Sequence, residues 1–344
     1  MLQTYLLTLL APLLGGGNSF YCSKLAQGHF FSKDYTTVLK GLCSLIVIYV
    51  HVREPFCNTL QDAIGSFAYV CVTLFFLVSS YGMMLSVERK KEYLRYFWRN
   101  RLIALLIPAF LINVVSFGLG FINRGTNTIS ILFFLNEYVA VLLQWCLWFY
   151  IVMWCKKRWF PKKKILTDWI LITGVIISSL CIYLFVNGEN YALTGWCFER
   201  MGLAWGVLLY RYFNTIVDWM DEHRLIKVII LTLLGLILGI AYLKYKPVYF
   251  WGEYLLKIIL GVTLIALLFS ATSNRQFNDK ISLWLGNVSY EVYLSHGIVM
   301  SSLALWLPTS IDSGLFILMT VIVTLILSTI VHSIGKRIVN KLRV

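Results

Sequence analysis

Apolar runs long enough to cross a membrane follow one another along almost the whole chain, with only short polar breaks between them. A helix needs about 20 apolar residues to cross a hydrocarbon core about 30 Å thick. The short alternating segments of a transmembrane barrel are missing. Since 59% of the 344 residues are hydrophobic and 13% are charged, the sequence predicts an all-α, polytopic integral membrane bundle of about 10 transmembrane helices. The runs cover about 37–52, 63–87, 102–122, 131–155, 165–186, 200–213, 226–243, 254–270, 281–306 and 314–334.

The basic residues gather on one side of this alternating topology. Of the 30 Lys and Arg residues, 24 lie in the breaks on one side, and 6 lie on the other side or at adjoining span ends. Because positive charge accumulates in cytoplasmic loops, we expect the first core span to begin in the cytoplasm and the C-terminus to end there. The prediction is a multi-pass protein of the cell membrane, plasma or inner, in contact with membrane lipid. This distribution accounts for the net charge of +14, and no nucleic-acid partner is expected.

The chain divides into two parts. Residues 1–34 begin with an apolar stretch too short for a span, followed by three glycines, and are interpreted as an interfacial or partly inserted segment. Residues 35–344 form the transmembrane domain. No loop within it is long enough for a separate soluble domain, so the chemistry is expected inside the bundle and its short loops.

A polar stripe runs along the first core span. Lys40, Ser44 and His51 share one helix face, with Lys40 and His51 roughly 16 Å apart along the axis. If Lys40 marks the membrane boundary, His51 lies near the middle of the hydrocarbon core. An ionisable ring is costly there, so His51 is a candidate functional residue.

Two further polar patterns leave two interpretations open. Arg95 and Arg99, in the first basic loop, have the i,i+4 spacing of one helix face, which suits either a phosphate-rich ligand or lipid headgroups. Tyr293 and His296 lie with Ser289 on one face of the ninth span. That face serves either a functional site or interhelical hydrogen bonds that fix packing.

Several kinds of soluble-enzyme chemistry are excluded by their missing motifs. The chain has no GxSxG elbow, no Walker loop, no dinucleotide fingerprint and no HExxH pair. Cysteine and histidine spacings typical of a metal site are also missing. We therefore expect no use of ATP and no metal.

Four segments in chain order carry a further signal. Leu39–His51 begins with a basic residue and glycine and ends in histidine, and Phe75–Gly82 has an FxxS pattern with Ser80 where glycine is usual. Tyr96–Arg101 leads to Pro108, with Ala104 where a second basic residue is common, and Leu285–His296 matches LGxxSYxxYLxH. Together they resemble the membrane-bound acyltransferase family 3 over residues 35–340. Leu147-Trp148-Phe149 is a weaker fifth match.

The resemblance implies transfer of an acyl group, usually acetyl, from a cytoplasmic acyl-CoA. The expected donor is acetyl-CoA or another acyl-CoA. The expected acceptor is a hydroxyl of a cell-surface or secreted glycan, or of its lipid-linked precursor. The sequence does not identify the acceptor, and it is compatible with a homodimer.

Roles for individual residues follow from the stripe and the resemblance together. His51 is predicted to be the general base, oriented by Glu54 if the helix continues to Pro55, although a covalent acyl-His51 intermediate is an alternative. The phosphates of the donor are expected near four basic residues: Lys40, Arg95, Arg99 and Arg101. Substrate-binding or supporting roles are expected for Ser44, Ser79, Trp148, Arg200, Tyr290, Tyr293 and His296.

Two other classes of function compete with the acyltransferase. Ten spans with intramembrane polar residues also suit a transporter or flippase for a lipid-linked glycan, although paired broken helices in repeated halves are not found. The second is a membrane scaffold or sensor, in which every polar group would stabilise the structure and none would take part in a reaction. Binding of acyl-CoA separates the enzyme from both.

Overall fold

The apolar runs are helices in a computed structural model, which describes residues 19–21, 30–52, 54–124, 128–185, 196–277 and 279–342. The first half of the chain contains β1 Ser19–Tyr21, α1 Lys33–His51, α2 Thr59–Gly65, α3 Tyr69–Arg89, α4 Phe97–Arg124, a 3-10 helix Ile129–Phe133, α5 Glu137–Trp159 and α6 Lys164–Phe185. The second half contains α7 Met201–Arg211, α8 Phe213–Asp221, α9 Arg224–Tyr245, a π-helix Trp251–Leu256, α10 Lys257–Thr272, β2 Arg275–Phe277, α11 Lys280–Asn287, α12 Ser289–Trp306 and α13 Ser313–Leu342.

The prediction of a helical membrane bundle is confirmed. Within the described ranges, seven helical segments are long and apolar enough to span a membrane. The other three predicted spans are also helical, but α1 carries polar residues, α7 has 11 residues, and residues 281–306 form two helices rather than one. The count of ten therefore includes three segments that fall short of a regular apolar span.

The long helices run alternately up and down. At one end, which we call the basic end, Lys164 pairs with Glu88 at 3.5 Å and Arg99 donates to the Leu342 carbonyl at 3.1 Å. At the opposite end, which we call the cavity end, Trp306 donates to Asn123 at 2.8 Å. Short loops between successive spans explain this arrangement, because they force neighbouring helices to be antiparallel.

Helix α1 lies against α3, α11, α12 and α13 at the centre of the bundle. It begins after Ser32, whose side chain accepts a hydrogen bond from the Tyr35 amide at 3.2 Å, and ends at His51, because Val52 is extended. Its 19 residues extend about 28 Å. His51 is thus the last residue of the helix, in agreement with the predicted span of about 37–52.

Two glycines bring α1 and α11 into backbone contact. A Cβ atom on Gly41 would lie 2.8 Å from the Gly286 nitrogen, and one on Gly286 would clash with the Thr37 carbonyl. Asp279 caps α11, and hydrogen bonds from Ser282, chiefly from its backbone amide, hold the pKa of this exposed carboxyl below its usual value. Two of the family-like segments therefore meet at a contact that requires glycine on both sides.

Helices α3 and α7 also approach closely. Methyl groups on Gly202 or Gly206 would clash with the carbonyl oxygens of Thr73 or Leu77. Ser80 packs against Gly206, since a Cβ atom added to Gly206 would lie 2.7 Å from the Cβ atom of Ser80. The small-xxx-small pair on α7 supplies the close approach.

A two-stranded antiparallel sheet pairs β1 with β2, with Phe20 opposite Gln276. Of the predicted interfacial segment 1–34, residues 1–18 and 22–29 lie outside the described residues.

Candidate active site

A cavity of about 830 Å³ opens at the cavity end of the bundle. Its walls come from the end of α1, the second half of α4, the 3-10 helix, the start of α5, the segment before α7, and α12. The polar lining residues are His51, Asn113, Ser116, Asn123, Thr128, Asn136, Tyr293, His296, Ser301 and Ser302. These side chains are hydroxyls, amides and imidazoles, which is the chemistry that binds a polyhydroxylated ligand.

His51 and His296 meet at the wall of this cavity. Their ring centroids are 5.0 Å apart, with the planes inclined at 65°. His51 is the last residue of α1, and His296 lies within α12, which packs along α1. The structure thus brings together two histidines that the sequence placed in separate motifs.

The hydrogen bonds of both rings fix their tautomers. His51 Nδ1 lies 2.7 Å from the Val47 carbonyl oxygen, and His296 Nδ1 lies 2.7 Å from that of Tyr293. A carbonyl oxygen only accepts, so each Nδ1 carries the hydrogen. The neutral form of each ring therefore has an unprotonated Nε2, which is the state needed to accept a proton from a hydroxyl.

Tyr293 supports the histidine pair. Its ring centroid lies 5.8 Å from that of His296 and 4.9 Å from that of Tyr138, and Phe75 contacts it from the other side at 6.0 Å. Tyr293 and His296, both predicted, therefore belong to one connected ring cluster with Tyr138, and Ser79 lies near the Tyr138 hydroxyl.

The asparagines of the cavity were missed in the sequence. Asn113 donates to the carbonyls of Leu132 and Phe134, at 3.2 and 2.8 Å, and so ties the 3-10 helix to α4. Asn123 bridges Ser302 and Trp306 at the rim. An isolated asparagine in an apolar run was the available signal, because such a side chain needs partners within the membrane.

A second cavity, of about 430 Å³, lies at the basic end. Arg101 and Lys90 line it together with Tyr93, Tyr96 and Asn100, and Arg101 donates to the Tyr93 hydroxyl at 2.8 Å. Helix α4 borders both cavities, and Arg101 lies about 18 Å along its axis from Asn113. Ala109 is the first residue of α4 that lines the large cavity, so about 12 Å of the helix separates the two cavities.

The structure does not bring the other predicted phosphate-binding residues to this cavity. Arg95 precedes α4 and pairs with Glu92 at 3.2 Å, so Arg95 and Arg99 do not share a helix face as predicted. Arg99 donates instead to the C-terminal end of α13. Both side chains are exposed at the basic end.

Lys40 lies elsewhere, between α1 and α12. Its ammonium interacts electrostatically with Glu291, which accepts a hydrogen bond from His332 at 3.0 Å. Ser44, one turn further along α1, is fully buried and donates to the Gly41 carbonyl at 2.7 Å. Its hydroxyl is therefore occupied within its own helix.

Three of the predicted supporting residues have structural contacts. Tyr290 donates to the Leu105 carbonyl on α4 at 2.8 Å. Trp148 and Arg200 line a separate cavity of about 70 Å³, where Arg200 donates to Ser178 at 2.7 Å. Arg200 also donates to the carbonyl of Trp196, which lines the large cavity, so Arg200 supports that wall from behind.

Glu54 is not positioned to orient His51. The predicted role required α1 to continue to Pro55, but the helix ends at His51 and Glu54 is exposed in the following turn. The Val47 carbonyl takes the place expected for the carboxylate at Nδ1. In the described part of the chain no group of three or more His, Cys, Asp or Glu side chains could hold a metal ion.

Comparison with known protein families identifies a family model that covers most of the chain. The model of the acyltransferase 3 family, described as an acyltransferase domain, matches residues 34–333. No curated protein and no solved structure matches the chain.

Proposed function

The chain belongs to the acyltransferase 3 family and is a membrane acyltransferase, and from that premise we propose that it moves an acyl group, acetyl in the first instance, from acyl-CoA to a hydroxyl of a glycan or lipid-linked glycan. The observation that carries this proposal is the histidine pair, which presents unprotonated Nε2 atoms at the wall of a cavity lined by hydroxyls and amides.

In the proposed reaction His51 is the general base. Its Nε2 takes the proton of the acceptor hydroxyl while the oxygen attacks the thioester carbonyl carbon. The tetrahedral intermediate collapses, the bond from carbon to sulfur breaks, and the CoA thiolate takes the proton back from the imidazolium. The products are the O-acyl glycan and CoA, so no net proton is consumed.

The two cavities support an arrangement in which donor and acceptor enter from opposite ends. Arg101 and Lys90 are the basic residues of the second cavity, and guanidinium and ammonium groups bind phosphate oxygens. The nucleotide of the donor would bind there, and its pantetheine arm would span the distance to His51. The apolar core around the arm would exclude the water that hydrolyses thioesters.

The orientation is part of the proposal. Because the basic end holds most of the Lys and Arg residues, we place it, with the C-terminus, in the cytoplasm of a cell-membrane protein. The large cavity then opens on the extracytoplasmic side, where cell-surface glycans or lipid-linked precursors are found.

A CoA-release assay tests the proposal. Purified protein in nanodiscs is given acetyl-CoA, with and without crude envelope glycan, beside His51→Ala and His51→Gln variants that elute as the wild type does. We expect CoA release that requires His51 and that increases when glycan is added. Full activity in both variants would exclude His51 as the base, and neither release nor acyl-CoA binding in well-folded wild type would favour the transporter.

A further inference from the structure

A charged cluster lies between α1, α12 and α13, outside both large cavities. Glu291 is buried, with a side-chain exposure of 7%, and one carboxylate oxygen, Oε1, accepts from His332 Nδ1 at 3.0 Å. The other oxygen, Oε2, is buried and has no hydrogen-bond partner in the described part of the chain. The Lys40 ammonium interacts electrostatically with Lys33 and with Glu291, and it forms no ion pair with Glu291, whose ion-pair partner is His332.

The cluster lies below the histidine pair, on the side of the basic end. Lys40 is on the helix face that carries His51, about 16 Å away along α1. Glu291 precedes His296 by five residues, or about 7.5 Å along α12. A donor arm that reaches His51 from the basic end therefore passes the level of Glu291.

We propose that Lys40 and Glu291 form a subsite for an amide group of the acyl-CoA arm, with His332 as the residue that positions Glu291. This inference rests on the proposed function. An amide has one donor and one acceptor, while an ammonium only donates and an ionised carboxylate only accepts. The amide N–H would bond Glu291 Oε2, and the amide carbonyl would accept from Lys40.

The energetics favour a ligand at this place. A buried carboxylate oxygen without a partner destabilises the empty site, because its lost hydration is not replaced. A ligand N–H relieves that cost, and hydrogen bonds to a charged group contribute more than neutral ones. His332 holds Oε1, which leaves Oε2 as the acceptor for the ligand.

The dimensions agree with the arm of CoA. Its first amide nitrogen is four bonds from the thioester carbonyl carbon, which is roughly 5 Å in an extended chain. A hydrogen bond adds about 3 Å. An acyl carbon beside the histidine pair therefore places the amide at the axial level of Glu291, which lies about 7.5 Å below His296 on a different face of α12.

Two small acyl donors that differ only in the amide N–H test this contact. S-acetyl-N-acetylcysteamine keeps the first amide and lacks the phosphates, and its oxygen ester analogue replaces N–H with O. We expect the wild type to favour the amide in kcat/KM by roughly tenfold or more. In Glu291→Gln the ratio should approach one, because His332 takes the single carbonyl oxygen and leaves an NH2 group that cannot accept. Glu253→Gln, the same charge change away from the cluster, should keep the wild-type ratio.

The role of His332 gives a second test. His332→Phe removes the donor to Oε1 and should lower the amide-to-ester ratio, and His332→Gln, which can donate, should restore much of it. If Glu291→Gln does not fold, His332→Phe decides: an unchanged ratio overturns the proposal. An unchanged ratio in folded Glu291→Gln also overturns it. A wild type that consumes no acyl thioester refutes the proposed function itself, which is a distinct outcome.

Discussion

The imidazole rings of His51 and His296 lie with their centroids 5.0 Å apart, and each is tied through Nδ1 to a carbonyl of its own helix. Two neutral rings in these tautomers have acceptor nitrogens but no free donor. Once His51 has taken a proton, its Nε2–H becomes a donor beside the unprotonated ring of His296. Because the rings are in contact, the protonation state of one ring is coupled to that of the other.

A double-mutant cycle tests this coupling. His51→Gln should lower kcat by roughly 10²- to 10⁴-fold, the usual loss for a general base. His296→Gln should cause a smaller loss. Because both rings act on one proton transfer, the double variant should be no slower than His51→Gln alone. The measurement is CoA release at saturating donor, and multiplied losses in the double variant would contradict the coupling.

Arg101 is expected to dominate donor binding over the neighbouring arginines. It lines the cavity at the basic end, whereas Arg95 is paired with Glu92 and Arg99 with the end of α13. Arg101→Gln should weaken acetyl-CoA binding roughly tenfold or more, because a hydrogen bond to a charged phosphate is lost.

Arg99→Gln and Arg95→Gln are the matched controls for Arg101→Gln and should change affinity only slightly. Titration calorimetry in detergent would measure the three dissociation constants. Equal losses in all three variants would indicate diffuse attraction by the basic end rather than a defined phosphate site.

Filling the large cavity should weaken binding of the glycan acceptor and leave binding of the acyl-CoA donor unchanged. Ser301 lines the cavity and is exposed, with its hydroxyl bonded to the Gly297 carbonyl at 2.8 Å. Ser333 makes the same bond to Thr329 at 2.8 Å but lies outside the cavity. Ser301→Phe should raise the KM for glycan with acyl-CoA affinity unchanged, and Ser333→Phe should behave as the wild type. Loss of acyl-CoA binding in Ser301→Phe would show that the donor occupies this cavity.

The sequence was a good guide to elements that depend on local pattern. Apolar run length gave the helices, and the LGxxSYxxYLxH segment placed Tyr293 and His296 on one face. The end of α1 at His51 agrees with the predicted span end near residue 52, so the condition for Glu54 to orient His51 is not met. The predicted helix face of Arg95 and Arg99 was wrong because α4 begins only at Phe97.

The rest of the site depends on contacts between distant segments. The meeting of His51 with His296 and of Glu291 with His332 is set by how α12 packs between α1 and α13. Helical periodicity describes one helix at a time, so it cannot choose which polar faces meet. The cavity asparagines are also spread over α4 and the start of α5, where no shared pattern connects them.

The glycine contact between α1 and α11 should be essential for assembly. A methyl group on Gly286 would clash with the Thr37 carbonyl, which belongs to a buried backbone that cannot move away cheaply. Gly286→Ala should therefore lower the yield of monodisperse protein in detergent and its thermal midpoint. Gly82→Ala is the control, because a Cβ there meets nothing within 4 Å and alanine favours the helix. Equal stability of the two variants, measured by size exclusion after heating, would show that α11 can withdraw from α1 without unfolding the bundle.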